Sequence, residues 1–256
     1  MIRVGVLGAA GRMGREVCGA LAEAPDLELA AAVDPHHEGD TVEGVTIVGG
    51  ISVLTAVGAD VAVDFTQPAA VMDDARWCLG HGVHAVIGTT GLTQDDLEEL
   101  AALADAGGPN AFVAPNFAIG AVLMMRFAEQ AARYLPDAEV LEFHHAGKVD
   151  APSGTALTTA RRIAAAREGA RRAPGGDRDH PGARGADVDG VRVHAVRLPG
   201  LLAHQEVLFG GPGQTLSIRH DTTDRASFVP GILMAVRAVA RRPGLTVGLE
   251  SLLDAR

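Results

Sequence analysis

Ile2-Arg3-Val4-Gly5-Val6-Leu7-Gly8-Ala9-Ala10-Gly11-Arg12-Met13-Gly14 decides how this chain folds. Residues 2–7 are a short apolar run rich in Val and Gly, which predicts a buried strand. A glycine turn follows, and Val17, Cys18, Leu21 and Ala22 then recur at helical spacing. Strand, glycine turn and helix in that order let backbone amides approach a pyrophosphate, while the helix N-terminus stabilises its charge. The spacing is GxxGxxG rather than the commoner GxGxxG, so its context must carry part of the argument. That context is a second strand over residues 27–33 ending in Asp34, twenty positions after Gly14, where a carboxylate accepts hydrogen bonds from an adenosine ribose. The competing reading of Asp34 is a solvated turn residue before Pro35. Asp34 favours NADH by repelling a 2′-phosphate, whereas Arg12 and the His36-His37 pair offset part of that repulsion. NADH and/or NADPH is therefore the expected cofactor.

Alternation of strands and helices continues outward from this unit. Strands are expected over residues 60–65, 84–87 and 111–114, and helices over 68–79 and 93–106, the second with Thr93 as N-cap. Parallel sheets place ligands at the carboxyl ends of their strands. Gly88, Thr89 and Thr90, and then Ala114, Pro115, Asn116 and Phe117, fall there and are candidates to meet the nicotinamide half of a dinucleotide; ordinary turn chemistry is the alternative. After a long amphipathic helix over residues 119–135 the character changes. A β-run over 138–143 precedes a helix over 155–168, and residues 169–190, rich in Gly, Pro, Arg and Asp, read as a mobile loop. Three β-runs, 191–198, 204–209 and 215–220, lack long intervening helices, so an antiparallel or mixed sheet is expected. A final helix, 227–241, and a tail through Leu253 return to the first domain. The fold class is α/β: a Rossmann-type doubly wound parallel sheet plus a second α+β domain with a mixed or antiparallel sheet. Residues 1–117 and 228–256 form the expected dinucleotide-binding domain and 118–227 the substrate-binding one.

The chain has 256 residues, of which 47% are apolar, enough for a sizeable core. A formal net charge of -10 excludes a general basic field for nucleic acid or anionic lipid. Cys18 and Cys78 lie far apart in helical patterns and read as buried thiols of a reducing compartment. No apolar leader and no run of membrane-spanning length are visible, so the cytosol is the expected location and no membrane partner is implied.

A second stretch, Glu142-Phe143-His144-His145-Ala146-Gly147-Lys148-Val149-Asp150-Ala151-Pro152-Ser153-Gly154-Thr155, gathers two imidazoles, an ammonium, a carboxylate and a helix start. Lys148 is the only lysine of the chain. Arg stays protonated in proteins whereas a desolvated ammonium gives up its proton, so a lone Lys beside His144 and His145 suggests a proton donor or a compact point charge. A chance survivor of an Arg-rich composition is the bland alternative. Adjacent histidines on a strand point to opposite faces. The helix start at Ser153, Gly154 and Thr155 favours an anion such as a carboxylate, with the Thr155 hydroxyl as an added donor. No metal is expected, because HHxxK has no diagnostic ligand spacing.

These strings together resemble the 4-hydroxy-tetrahydrodipicolinate reductase (dihydrodipicolinate reductase) family over nearly the whole length. They are joined by Val63-Asp64-Phe65-Thr66, Gly88-Thr89-Thr90-Gly91, Ala114-Pro115-Asn116-Phe117, Pro181-Gly182-Ala183-Arg184-Gly185, His204-Gln205-Glu206-Val207 and Arg219-His220-Asp221. The HHxxKxDAPSGT string is highly specific to that family. The resemblance implies that Gly8, Ala9, Ala10, Gly11, Arg12, Met13 and Asp34 hold the nucleotide, with Gly88 to Thr90 and Ala114 to Phe117 along the nicotinamide. It implies His144 as proton donor or acceptor, Lys148 as proton donor, and His145, Gly154 and Thr155 as ligands of a cyclic dicarboxylate substrate. It also implies a homotetramer assembled through the sheet of the second domain, and a place in diaminopimelate and lysine biosynthesis. Ala10 stands where some relatives place Lys, and Ala146-Gly147 where basic residues are frequent. The rival readings are an NADH-dependent aspartate or homoserine dehydrogenase, and a dinucleotide-sensing module; the acidic balance lacks the basic stripe a DNA-bound sensor needs.

Overall fold

The computed structural model describes residues 1–104, 107–167, 180 and 182–254. In chain order the first elements are β1 (Ile2–Leu7), α1 (Arg12–Glu23), β2 (Leu27–Val33), β3 (Thr41–Val42), β4 (Val45–Val48), α2 (Val53–Ala56), β5 (Val61–Asp64), α3 (Val71–Gly80), β6 (His84–Ile87), α4 (Gln94–Ala104) and β7 (Ala111–Val113). Then come α5 (Ile119–Ala132), β8 (Asp137–His144), α6 (Gly154–Ala166), β9 (Ala186–Val188), β10 (Val191–Arg197), β11 (Ala203–Gly211), β12 (Gln214–Thr222), α7 (Val229–Val239), β13 (Leu245–Val247) and α8 (Glu250–Leu253). They form two compact units, Met1–Phe117 with Phe228–Arg256, and Ala118–Ser227.

In the first unit the strands run in the order β13-β7-β6-β5-β1-β2-β4-β3, and every pairing is parallel except the β3–β4 hairpin. From β1 the chain builds outward through β2 on one side and through β5, β6 and β7 on the other. The order therefore reverses between β1 and β5, which places a crevice at their carboxyl ends. Strands covered on both faces need no polar alternation, and all four residues of β5 are buried. Leu7, Ala62, Ala85 and Ile87 join Ala75, Leu79 and Leu100 of α3 and α4 on one face. By strand alternation Val4, Val6, Val63 and Val86, all fully buried, turn to the face where α1 and α7 pack. Each such aliphatic side chain contributes roughly 1.5–3 kcal/mol. The C-terminal return is pinned by Asn110, whose side chain donates to the Val239 and Ala240 carbonyls at 2.9 and 3.3 Å and accepts from the Gly244 amide at 3.1 Å.

The second unit is a mixed sheet in the order β12-β11-β8-β10-β9, with β8 and β10 parallel and the other pairs antiparallel. Ala128, Ala132, Ala156, Ala160 and Ile163 of α5 and α6 cover Val140, Val193, Val207 and Phe209. One expectation is corrected here. Within residues 169–190, expected as a loop, Ala186–Val188 is a strand hairpinned to β10. Its two-residue connection, Asp189 and Gly190, has φ of +51° and +82°, the backbone that an Asp-Gly pair supplies for a tight hairpin. Residues 169–179 and 181 of that expected loop lie outside the described residues, as do residue 168 of the expected helix 155–168 and residues 105–106 of the expected helix 93–106. The helix expected over 119–135 ends at Ala132, and that over 227–241 starts at Val229 after a 3-10 turn, with Pro230 in its first turn. Among the described residues no helix is long and apolar enough to cross a membrane.

Candidate active site

In the first unit the glycine turn is shaped by close backbone contacts. Gly8 adopts φ +74°, and a Cβ there would lie 2.6 Å from the Phe65 carbonyl oxygen. A Cβ on Gly14 would drive into the Gly8 carbonyl and stand 2.8 Å from the Ala9 Cα. The turn's own amides are largely engaged. Gly8 and Ala9 both donate to the Val33 carbonyl at 2.9 and 3.1 Å, Gly11 donates to Gly8 at 3.0 Å, and Ala10 donates to Asp34 Oδ2 at 3.3 Å. Helix geometry leaves Arg12, Met13 and Gly14 at the start of α1 with no intrahelical acceptor, so the amides pointing at an anion come from the later half of the motif.

Asp34 is only 9% exposed and also accepts from the His36 amide at 3.1 Å, so it is a built-in part of this wall and not a solvated turn residue. Gly8, Gly11, Asp34, His36, Thr66 and Ala70 line a cavity of about 530 Å³. Shape, free helix amides and the terminal carboxylate fit the adenosine and pyrophosphate of a dinucleotide.

Asp64 closes the carboxyl end of β5. Its Oδ1 accepts from the Thr66 amide (2.9 Å), the Thr66 hydroxyl (2.8 Å) and the Thr89 hydroxyl (2.7 Å), while Oδ2 is buried without a partner among the described residues. Burial pushes the Asp64 carboxyl up, and burial together with the charge of Asp64 raises nearby Asp74 to about 6. The Thr89 hydroxyl is thus held by Asp64, and its neighbours Gly88 and Thr90 present the accessible part of that turn. Ala114 and Phe117 are buried at 2% and 3%, whereas Pro115 is exposed and Asn116 half-buried. The Phe117 ring lies 6.2 Å from Phe65 and 6.4 Å from Phe112, which fixes the base of that loop.

In the second unit β8 ends at His144, and His145 begins the turn, so strand alternation stops between them. His144 Nδ1 is hydrogen-bonded to Glu142 Oε2. Glu142, fully buried, accepts with Oε1 from Arg197 Nη2 at 2.8 Å and from the Ser153 amide at 3.3 Å. Burial raises its carboxyl, but the bonds from His144 and Arg197 outweigh this and hold it below the usual carboxylate range. Lys148 Nζ lies 2.8 Å from Asp150 Oδ1, and its amide donates to the His145 carbonyl at 3.1 Å. Ala151–Pro152 is cis, and Ser153 then caps α6 by accepting from the Ala156 amide at 3.2 Å. A Cβ on Gly154 would meet nothing within 4 Å among the described residues, so none of them closes off the helix start. His144, His145, Lys148, Gly154 and Thr155 therefore lie on one strand end, turn and helix start. Glu142 carried no role in the sequence reading although it stands two residues before His144 on a strand, hence on the same face. Arg197 has no local signal, since it is 55 positions from Glu142 and arrives only through the pairing of β10 with β8. Among the described residues no group of three or more His, Cys, Asp or Glu is placed to hold a metal.

Comparison with known proteins shows the family of the chain. The family described as "Dihydrodipicolinate reductase, N-terminus" matches residues 2–117, and "Dihydrodipicolinate reductase, C-terminus" matches residues 120–253. The chain is 54% identical to a 4-hydroxy-tetrahydrodipicolinate reductase of Nocardia farcinica and 55% identical to one of Cutibacterium acnes, in both cases over 99% of each chain. A dipicolinate-bound dihydrodipicolinate reductase from Paenisporosarcina sp. TG-14 superposes with a TM-score of 0.86 at 41% identity, covering 98% of this chain and 99% of that one. Matched by both family models over residues 2–117 and 120–253 and more than half identical to these reductases over nearly its full length, the chain belongs to the dihydrodipicolinate reductase family.

Proposed function

We propose that the chain reduces 4-hydroxy-tetrahydrodipicolinate to tetrahydrodipicolinate with NADH and/or NADPH, the 4-hydroxyl leaving as water so that one hydride and one proton are added, on the route to diaminopimelate and lysine. The observation that carries this is the His144–Lys148 turn beside the open helix start at Gly154, in a chain of this family. When bound, the reduced nicotinamide supplies a hydride to C4 of the ring. Everything else falls to side chains and amides. In the first unit, Arg12 and Met13 at the start of α1 hold the pyrophosphate, Asp34 the adenosine ribose, and the turns at Gly88–Thr90 and Ala114–Phe117 the nicotinamide. In the second unit, His145, the Gly154 and Thr155 amides and the Thr155 hydroxyl bind substrate carboxylate, where the helix dipole favours negative charge. Charge that develops next to the ring nitrogen requires a positioned acid. Lys148, oriented by its ion pair with Asp150 at 2.8 Å, donates that proton, and His144 assists as donor or acceptor.

The free, buried Cys18 and Cys78, whose thiols burial pushes up to about 12, support a protein of the reducing cytosol with no thiol chemistry of its own. The edge position of β12 and the 40% exposed Leu208 and Leu216 support a homotetramer formed through this sheet. Light scattering should then give four times the 26.3 kDa chain mass, and a monomer would dismiss that assembly. The function itself is tested by an assay coupled to the synthase that makes the substrate, run with NADH and NADPH in parallel. Substrate-dependent oxidation of at least one dinucleotide is expected; rates at background with both would refute the proposal.

A further inference from the structure

We propose that Glu142 and Arg197 are positioning residues for this reaction: Glu142 fixes His144 as the Nδ1–H tautomer, and Arg197 ties that carboxylate to the backbone segment bearing Lys148. The inference rests on the function proposed above and adds two residues to which that function gave no role.

A carboxylate with no exposed surface is costly unless each oxygen is satisfied. Both oxygens of Glu142 are satisfied, by a chosen set of donors: His144 on its own strand, Arg197 on β10 and the Ser153 amide that opens α6. Val140, two residues earlier on the same face of the strand, belongs to the hydrophobic cluster of this unit, so Glu142 is a carboxylate set next to an apolar core. The carboxylate's use is directional. Ionised, it only accepts, so the Nδ1 bonded to it must carry the hydrogen. Nε2 then becomes the nitrogen that gives or takes a proton.

Arg197 acts on both halves of the turn. The Nη2 that meets Glu142 also donates to the Asp150 carbonyl at 2.7 Å, and Nη1 donates to the Val196 carbonyl at 2.8 Å. Asp150 is in turn the ion-pair partner of Lys148. One guanidinium thereby sets the imidazole, through Glu142, and the ammonium, through residue 150. It also shares the negative charge of Glu142, which would otherwise act on His144 alone. On the face of the sheet that carries His144 the nearby charged or titratable groups are Glu142 and Arg197, joined by His145, Lys148 and Asp150 of the turn. Ala203, its neighbour on β11, has no charge.

The test is histidine-selective 15N NMR on the full chain, with the His144 signals assigned by their loss in H144Q. In the wild type the neutral ring should show a protonated Nδ1 and a bare Nε2. Glu142→Gln should mix the tautomers and lower the His144 pKa by about one unit, whereas Arg197→Met should raise it by about one unit. Opposite signs are what a merely structural role would not produce. Glu142→Gln should also lower kcat by roughly 10- to 100-fold while KM for the dinucleotide stays within about twofold. A wild-type ring protonated at Nε2, or shifts of the same sign in both variants, would overturn the proposal. Should Glu142→Gln fail to fold, the wild-type tautomer and the Arg197→Met shift still decide it. A chain that shows the expected tautomer and shifts yet never oxidises either dinucleotide would instead refute the function and leave the positioning intact.

Discussion

The Thr89 hydroxyl donates to Asp64 Oδ1 at 2.7 Å, joining the carboxyl ends of the neighbouring strands β6 and β5. Because Thr66 donates to the same oxygen and Asp74 lies next to Thr66, two carboxyls share one half-buried polar pocket. Asp74, raised from 3.8 to about 6, binds its proton more tightly folded than unfolded. That contribution to stability is full below about pH 4 and is lost as pH rises through 6. Asp74→Asn should therefore stabilise the chain at pH 7 by on the order of 1–2 kcal/mol, allowing for partial solvent screening, with the gain vanishing near pH 4. Urea denaturation of both proteins from pH 4 to 7.5 measures this, and a difference that does not change with pH counts against it.

Two glycines should respond oppositely to alanine. At Gly14 alanine would gain up to about 1 kcal/mol of helix propensity, but the clash with the Gly8 carbonyl dominates, so Gly14→Ala should cost at least about 3 kcal/mol or abolish soluble expression. Gly154→Ala meets open space and should leave Tm within about two degrees while raising KM for the dicarboxylate tenfold or more. Thermal melts and steady-state kinetics on the pair check both; a Gly154→Ala protein with unchanged KM removes Gly154 from the binding site.

Lys148→Ala should lower kcat by roughly 100-fold or more, the scale of a positioned acid. Its ion pair with the 59% exposed Asp150 side chain is worth little to the fold, so Tm should barely move. Near-normal turnover by the variant would transfer the acid role to His144.

Asp34→Ser should raise KM for NADH about tenfold through the lost ribose contact and leave KM for NADPH within about threefold, since the repulsion of a 2′-phosphate disappears with the charge. Parallel titrations of the two dinucleotides give the ratio. An equal rise for both would show that Asp34 acts only as the acceptor for Ala10 and His36.

The parallel sheet was legible because its signals are local: an apolar run, a glycine turn, a helix period and an acid at a set distance. β3, β4, α2 and β13 were not, being two to four residues long and stabilised by what they pair with or pack on. The candidate site of the second unit could be proposed for the same reason, since His144, Lys148 and Thr155 fall within one short stretch. Arg197 could not, because only the register of β10 against β8 brings it to Glu142. Asp64 stood in a recognisable string, yet its role as the acceptor for Thr66 and Thr89 depends on the adjacency of β5 and β6.

The return of the chain after residue 227 has a consequence for biosynthesis on the ribosome. Until β13 has emerged, β7 has a bare outer edge and Asn110 lacks the carbonyl and amide groups that saturate its side chain. The helix that packs against α1 is also still to be translated. The first unit is thus completed only by residues that follow the second, after residues 118–227 have already been synthesised.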